Sequence, residues 1–278
     1  MMIKRPVGTM VTYGFVPGGL EGDLAIAAKL GATVVEILPD WRSLPDPGLL
    51  RSLVTDSGLK IHSAHGCWGG QAILAPRVDL GSLSPKTHRE SIDDIRRCIE
   101  WLHDAGGGHL VIHPGGLSDP EEKEARRDAL LQGLNTLADD AFRASVILCV
   151  ENMPSGVYPG SLMNDLATLV AEINRPEALG VALDTGHAHI SSTTTEETLA
   201  AGSWLRTTHV HDNDGKQDSH LPPGLGTIGW ESWAASLEAI HYSGPVMLEC
   251  IRHLRRYPES VSRMLVELVQ SLTGWVEL

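Results

Sequence analysis

The stretch LGVALDTGHAHI, residues 179–190, opens with an apolar run that ends at Asp184 and continues through a glycine turn to His187. An apolar or β-branched run, a polar or glycine-rich loop and a longer segment of helical periodicity follow one another in this order along the chain. The pattern therefore predicts a repeated strand–loop–helix unit. Eight runs fit it: VGTMVTYG (7–14), ATVVEILPD (32–40), LKIHSAHG (59–66), GHLVIHPGG (108–116), SVILCVENMP (145–154), LGVALDTGHAHI, LRTTHVHDND (205–214) and GPVMLECI (244–251).

Helix signals lie between the runs. In the segment 84–107, Ile92, Ile95, Ile99 and Leu102 recur with the spacing of one helix face, and Gly106 is placed to end that helix. Eight strand–helix alternations predict a parallel sheet of the α/β class, and eight is the number that closes a (β/α)8 barrel. A doubly wound open sheet is the alternative. The sequence has no evident linker or compositional break, so we expect one barrel domain over residues 1–278.

The composition narrows the class of protein. Hydrophobic residues make up 42% and charged residues 21% of the chain, which suits a globular protein with a full core. No apolar run approaches the roughly 18 residues of a membrane span, and MMIKRPVGTM lacks the apolar core of a secretory signal. Cys67, Cys98, Cys149 and Cys250 form no CxxC pair, which predicts free thiols and a cytoplasmic protein without a membrane partner. The net charge of −13 argues against a general nucleic-acid coat, although a local basic patch remains compatible with it.

The predicted strands end in residues that can bind a cation. Barrel enzymes carry their chemistry at the carboxyl ends of their strands. A lone histidine at such an end is more often structural, but six of the eight runs end in a histidine or a carboxylate. Carboxylates aimed at one axis repel one another unless they are protonated or bridged by a cation, so the pattern predicts a divalent metal site. Mixed ligands of this kind suit zinc, manganese or cobalt better than calcium or magnesium. The candidates are His65, His113, Glu151, Asp184, His187, His211 and Glu249.

The segment THVHDNDGKQDSHLPPG, residues 208–224, contains further candidates. His209 and His211 share one face of a strand because the side-chain period is two. His211 is nearer the expected strand end and is the predicted ligand, whereas His209 is assigned to the barrel interior and remains the alternative. Asp218 and His220 form a predicted two-ligand group in a loop that two prolines stiffen, the alternative being an ordinary solvated loop.

Together these residues resemble the xylose-isomerase-like TIM barrels, a superfamily of sugar and sugar-phosphate isomerases and epimerases that also includes endonuclease-IV-type abasic-site nucleases. The resemblance covers nearly the whole chain. In the epimerase branch one Mn²⁺ or similar ion is held by four residues, which match Glu151 in VENMP, Asp184 in LDTGH, His211 in HVHDND and Glu249 in MLEC. In the nuclease branch three zinc ions use these and five more, which match His65, His113, His187, Asp218 and His220.

Two departures from the nuclease pattern favour the sugar enzymes. The first run lacks the His-Val-Ser segment of those nucleases, and the loops have few basic residues for gripping a bent duplex. The resemblance thus implies a metal-dependent isomerase or epimerase of carbohydrate metabolism that acts on a sugar or sugar phosphate, with nucleic acid a less favoured partner. A trinuclear-zinc phosphodiesterase, a metal-dependent sugar lyase or hydrolase, and a non-catalytic sugar-binding barrel are the alternatives. The substrate, the metal (Mn, Zn or Co), the number of ions and homo-oligomerisation are left open.

The resemblance also assigns roles within the site. Glu151 and Glu249 would be the catalytic pair that removes and returns a proton next to a carbonyl. Trp68, in the long loop after the third run, is predicted to stack on a sugar face, with ordinary loop packing as the alternative. Arg252 is predicted to bind an anionic group of the substrate, with a solvated helix start as the alternative.

Overall fold

Eight parallel strands form the centre of the structure, a computed structural model that describes residues 5–67, 78–117, 119–157 and 159–256. The strands are β1 (Val7–Tyr13), β2 (Val34–Pro39), β3 (Lys60–His65), β4 (His109–Ile112), β5 (Ile147–Glu151), β6 (Leu179–Asp184), β7 (Leu205–His209) and β8 (Val246–Leu248). Each strand from β1 to β6 pairs with the next, and β8 pairs with β1.

The remaining gap, between β7 and β8, is bridged just beyond the end of β7. The Val210 amide donates to the Met247 carbonyl (2.7 Å), and the Glu249 amide donates to the Val210 carbonyl (3.0 Å). The sheet is thereby nearly closed on itself, which confirms the predicted single (β/α)8 barrel and excludes the open sheet. All the strands are parallel, so their carboxyl ends meet at one end of the barrel, which we call the mouth.

Helices cover the outside of the sheet, and in the described part of the chain they are α1 (Gly19–Lys29), α2 (Pro47–Asp56), α3 (Pro85–Ala105), α4 (Lys123–Arg143), α5 (Met163–Ala171), α6 (Thr185–Ser191), α7 (Thr194–Ala201), α8 (Trp230–Ala239) and α9 (Ile251–Leu254). α3 confirms the helix expected from periodicity, because Ile95, Ile99 and Leu102 are all buried against the sheet. Gly106 ends it in the left-handed conformation (φ 84°), which glycine adopts without steric cost.

The apolar core has two parts. The larger part lies between the sheet and the helices, and a small cluster of Val111, Cys149 and Ala182 fills the barrel interior. Above that cluster the inward-facing side chains become polar toward the mouth, so the packed interior forms the floor of the site. Among the described helices, none has both the length and the hydrophobicity needed to cross a bilayer.

Candidate metal centre at the barrel mouth

Four side chains from neighbouring strand ends converge at the mouth. Glu151, Asp184 and His209 are the last residues of β5, β6 and β7, and Glu249 follows β8 directly. Each of the four offers one ligand atom within 4.8 Å of the others, and we call them the inner set. Glu151, Asp184 and His209 are at most 1% exposed, so this cluster of carboxylates is shielded from solvent.

A second group shares Glu151 with the inner set. His65 ends β3 and His113 follows β4, and together with Glu151 they offer ligand atoms within 4.8 Å of one another. The Oε2 atom of Glu151 lies 3.3 Å from Nε2 of His113 and 3.7 Å from Nε2 of His65. Its other oxygen, Oε1, lies 3.0 Å from Nδ1 of His209 in the inner set. Glu151 is thus placed to bridge two cations.

A third group, the outer set, lies on the loop after β7. His211, Asp218 and His220 offer ligand atoms within 4.8 Å of one another. The Oδ2 atom of Asp218 is 3.1 Å from Nε2 of His220 and 3.3 Å from Nε2 of His187. The rings of His211 and His220 stack with their centroids 4.1 Å apart. The loop after β7 therefore brings Asp218 and His220 together, next to His187.

One ligand position of the inner set differs from the sequence-based prediction. His211 is the predicted ligand, but His209 is the residue that lies among the carboxylates of the inner set. The reason is that β7 ends at His209, two residues before the expected strand end. His211 lies one step further out, with its Nε2 atom 3.0 Å from Oδ2 of Asp184 and 3.7 Å from Oδ1 of Asp218. It therefore belongs to the outer set and contacts Asp184 of the inner set.

The histidine rings are oriented as metal-binding rings are. In His65, His187 and His220, Nδ1 lies 2.8–3.0 Å from a backbone carbonyl, those of Gly66, Asn152 and Glu249 respectively. A proton on Nδ1 donates to that carbonyl and leaves the lone pair of Nε2 directed at a carboxylate of the site. Tying one ring nitrogen in this way is the usual arrangement of histidine ligands to metals.

The electrostatics of the metal-free site agree with this arrangement. Burial alone would raise the pKa of Glu151, but His209, His113 and His65 hold that pKa well below its usual value. Burial alone would lower the pKa of His209, but Glu249, Glu36 and Glu151 raise it well above the usual value.

The same balance between burial and neighbouring carboxylates governs His187 and the outer-set residue His220. The pKa of His187 rises to about 10 because Asp184, Asp218 and Glu151 outweigh the effect of burial. The pKa of His220 also rises to about 10, where Asp218 is the first group to outweigh burial. Without a metal, protons on these rings compensate the carboxylates.

The residues fit a divalent cation on the chemistry of the donors. The inner set supplies three carboxylates and one imidazole, and the two other groups add imidazoles around Glu151 and Asp218. So many carboxylates so close together are stable only with positive charge between them. Oxygen and imidazole ligands together suit zinc, manganese or cobalt.

Asp212 holds the outer loop in place. Its buried carboxylate accepts four hydrogen bonds, from the amides of Asn213, Gly224 and Ile228 and from the indole of Trp230, at 2.9–3.2 Å. These donors lie on both sides of Asp218 and His220, so one side chain ties the two halves of the loop together. Charge-assisted bonds of this kind are roughly twice as strong as neutral ones.

Gly186 explains the glycine in the DTGH turn. A Cβ atom at this position would overlap the ring of His211, so only glycine lets the turn after β6 pack against that ring. The same turn places Asp184 as the cap of α6, where its Oδ1 atom accepts the His187 amide (2.7 Å). The motif thus fixes Asp184 and His187 relative to each other.

The two predicted substrate contacts, those of Trp68 and Arg252, remain predictions. Trp68 lies outside the described residues. Arg252 is exposed on α9, three residues after Glu249, and forms no ion pair among the residues the structure describes. The neighbouring Arg255 is bound instead to Asp23 on α1 (2.7 Å), which anchors the segment after β8 to the first helix.

The sequence analysis missed Glu36 and Asp212. Glu36 lies in the middle of the apolar run of β2, is fully buried and contacts His209. The signal available was a single charged residue among VVEILP, since a charge in a buried strand is rare unless it is paired. For Asp212 the signal was weaker, because it stands in a run of polar residues.

Comparison with known proteins gives relatives on both sides of the superfamily. Probable endonuclease 4 of Mycoplasma pneumoniae is 27% identical over 205 residues, which are 68% of this chain and 71% of that protein. The crystal structure of a D-tagatose 3-epimerase-like protein matches with a TM-score of 0.79 and 21% identity, covering 96% of this chain and 98% of that one. A D-allulose 3-epimerase from Methylomonas sp. in complex with D-allulose matches with a TM-score of 0.74 and 23% identity, covering 90% and 85%.

At these identities the two solved structures establish the fold alone. The family assignment comes from the sequence profile of the xylose isomerase-like TIM barrel, which matches residues 24–268 and so spans most of the chain. The matched range includes all three groups of candidate ligands. The chain belongs to the xylose isomerase-like TIM barrel family.

Proposed function

We propose that this protein is a divalent-metal-dependent isomerase or epimerase of a sugar or sugar phosphate. The observation that carries the proposal is the inner set, where Glu151 and Glu249 approach one ion position from strands β5 and β8. Burial would raise the pKa of Glu249, but His209 and His220 hold it well below its usual value, as Glu151 is also held. Both glutamates are therefore ionised at neutral pH before substrate binds, so either can act as the base that accepts a proton.

The two glutamates have complementary tasks in this reaction. One ionised carboxylate removes the proton from the carbon next to the substrate carbonyl, and the other, which must first take up a proton from solvent, returns that proton to the carbon skeleton. Exchange with solvent then restores one ionised and one protonated glutamate for the next turnover. Asp184 and His209 complete the ion site without contributing a proton. A bound divalent ion lowers the pKa of the carbon acid and stabilises the negative charge that develops on the substrate oxygens.

The comparisons support a sugar as substrate. The structures most similar in fold include proteins named as D-tagatose 3-epimerase-like and D-allulose 3-epimerase, the latter solved with D-allulose bound. Epimerisation at a carbon next to a ketone is the reaction class that the glutamate pair suits.

We also propose that the protein acts in the cytoplasm. The support is that Cys67, Cys98, Cys149 and Cys250 are all free and buried. Free thiols are typical of proteins in a reducing compartment.

A trinuclear phosphodiesterase is the second candidate. It is favoured by the second group and the outer set, which offer ligands for two further ions, and by the relative named probable endonuclease 4. Against it, the net charge is −13, and two arginines near the mouth, Arg42 and Arg255, are paired with Asp40 and Asp23, which leaves Arg252 as an exposed arginine without an ion pair among the described residues. A protein that grips duplex DNA needs unpaired cationic side chains for the phosphates.

Two assays on one Mn²⁺- or Co²⁺-loaded preparation test the proposal. The first follows exchange of solvent deuterium into a panel of ketoses, keto-sugars and sugar phosphates, and the second follows incision of a duplex with one abasic site. We expect exchange with at least one sugar, its loss in Glu249→Gln, and no incision. Incision that co-purifies with the protein and disappears in Asp218→Ala would overturn the proposal in favour of the phosphodiesterase.

A further inference from the structure

Glu36 is a buried carboxylate outside the three ligand groups. It lies in β2 and has no exposed surface. In the described part of the chain its hydrogen-bond partners are His209, whose Nε2 lies 2.7 Å from Oε1, and Ser63, whose hydroxyl donates to Oε2 at 2.6 Å. Burying a carboxylate is costly unless it is paired and hydrogen-bonded, so the position calls for a compensating interaction.

An irregularity in the pairing of β2 with β3 places Ser63 next to Glu36. Between β2 and β3 the register shifts, with Val35 opposite Ile61 and Glu36 opposite Ser63. His62 is therefore an extra residue in β3, a β-bulge that turns Ser63 toward Glu36. The Ser63 side chain is itself fully buried, and its hydroxyl binds the oxygen of Glu36 that His209 does not contact.

The contact between Glu36 and Nε2 of His209 determines which ring nitrogen of His209 faces the inner set. With Nε2 held by Glu36, Nδ1 lies 3.0 Å from Oε1 of Glu151 and 3.0 Å from Oε2 of Glu249. In His65, His187 and His220 the order is reversed, since Nδ1 contacts a backbone carbonyl and Nε2 faces the site. A carboxylate is a stronger acceptor than a carbonyl, so His209 is the ring made most basic by its partner.

We propose that Glu36 is a positioning residue that fixes the proton of His209 on Nε2 and thereby makes Nδ1 a ligand of the ion held by Glu151, Asp184 and Glu249. Ser63 holds Glu36 in the orientation that this requires. The inference rests on the proposed function only in requiring a divalent ion in the inner set.

The test is the variant Glu36→Gln, which keeps the shape of the side chain, removes its charge and replaces one acceptor oxygen by a donor amide. Binding of Co²⁺ alone to the metal-free protein is measured by calorimetric titration, and the ring tautomer of His209 by ¹⁵N NMR. Partners of this kind affect metal affinity by roughly 10–100-fold, so we expect Glu36→Gln to weaken Co²⁺ binding by that factor. We also expect its His209 to populate both tautomers, which a merely structural role would not cause.

Two further variants make the experiment decisive. Glu197→Gln removes another buried glutamate, which accepts the Met163 amide and belongs to none of the three ligand groups, and should leave Co²⁺ binding unchanged. Ser63→Ala keeps the charge of Glu36 but removes the hydroxyl that orients it, and should weaken Co²⁺ binding by a smaller factor. This variant tests the proposal if Glu36→Gln does not fold.

The outcomes separate the two proposals. Wild-type protein that binds no Co²⁺ in the inner set would end the proposed function. Wild-type protein that binds Co²⁺, with Glu36→Gln or Ser63→Ala binding it equally well and keeping a single His209 tautomer, would overturn this inference alone.

Discussion

His62 and His109 stack on each other near the amino ends of β3 and β4, with ring centroids 4.3 Å apart, whereas His187 and His209 lie buried at the mouth. Burial alone lowers the pKa of all four rings. At the amino ends nothing reverses this, and the pKa of His62 falls to about 3. At the mouth the carboxylates reverse it, and the pKa of His187 rises to about 10.

The comparison shows that burial does not decide what a histidine does in this barrel. His62 Nε2 and His109 Nδ1 have no hydrogen-bond partner among the described residues, and both rings are neutral packing groups. The rings at the mouth each contact at least one carboxylate, and only there can a proton be exchanged for a metal ion.

Glu151→Gln should have the largest effect, because Glu151 belongs to both the inner set and the group with His65 and His113. We expect turnover to fall by roughly 10²–10⁴-fold and metal content, measured by mass spectrometry of the metal, to fall for both positions. Glu100→Gln, an exposed glutamate on α3, is the matched control. Full metal content in Glu151→Gln would show that Glu151 is not a shared ligand.

Asp212→Asn should come next, because it removes the charge that four donors of the outer loop share. We expect the free energy of unfolding to fall by about 3 kcal/mol in urea titrations. Metal binding at the outer set should weaken more than binding at the inner set, since only the former depends on the loop. Equal weakening of both would contradict a local role.

The carboxylates at the strand ends could be predicted from the sequence, whereas the histidine ligand of the inner set and the buried residue that holds it could not. The strand-end position of Glu151, Asp184 and Glu249 followed from apolar runs that stop at a charged residue. The sequence pattern favours His211 over His209 as the ligand because both lie on one face of the strand. Only the pairing of β7 with β6 shows that the strand ends at His209. The role of Glu36 could not be predicted because its partner, His209, is 173 residues away in the chain, so no local sequence pattern contains the contact.

The alkaline stability of the metal-free protein should depend on the mouth. A histidine whose folded pKa is raised stabilises the fold fully below about pH 6.5, its unfolded value, and this contribution is lost as the pH rises through the folded pKa of about 10. We expect the urea midpoint of chelated protein to fall between pH 7 and 10, and less steeply in His187→Gln. His103→Gln, an exposed histidine on α3, should behave as wild type.

The acid stability should depend on the opposite end of the barrel. His62 must be neutral in the folded state, so the unfolded chain binds its proton first and stability falls as the pH drops from about 6.5 toward 3. The expected contribution is about 1.4 kcal/mol per pH unit at most, and His62→Asn should reduce the slope between pH 6.5 and 5. An unchanged slope in that variant would show that His62 is charged in the folded protein.

Anomalous diffraction from crystals of the Co²⁺-loaded protein tests the central claim most directly. The account predicts a peak within about 2.0–2.3 Å of an oxygen from each of Glu151, Asp184 and Glu249 and of Nδ1 of His209. An ion held by His211 in place of His209, or a fully loaded crystal with no ion among these four residues, would contradict it.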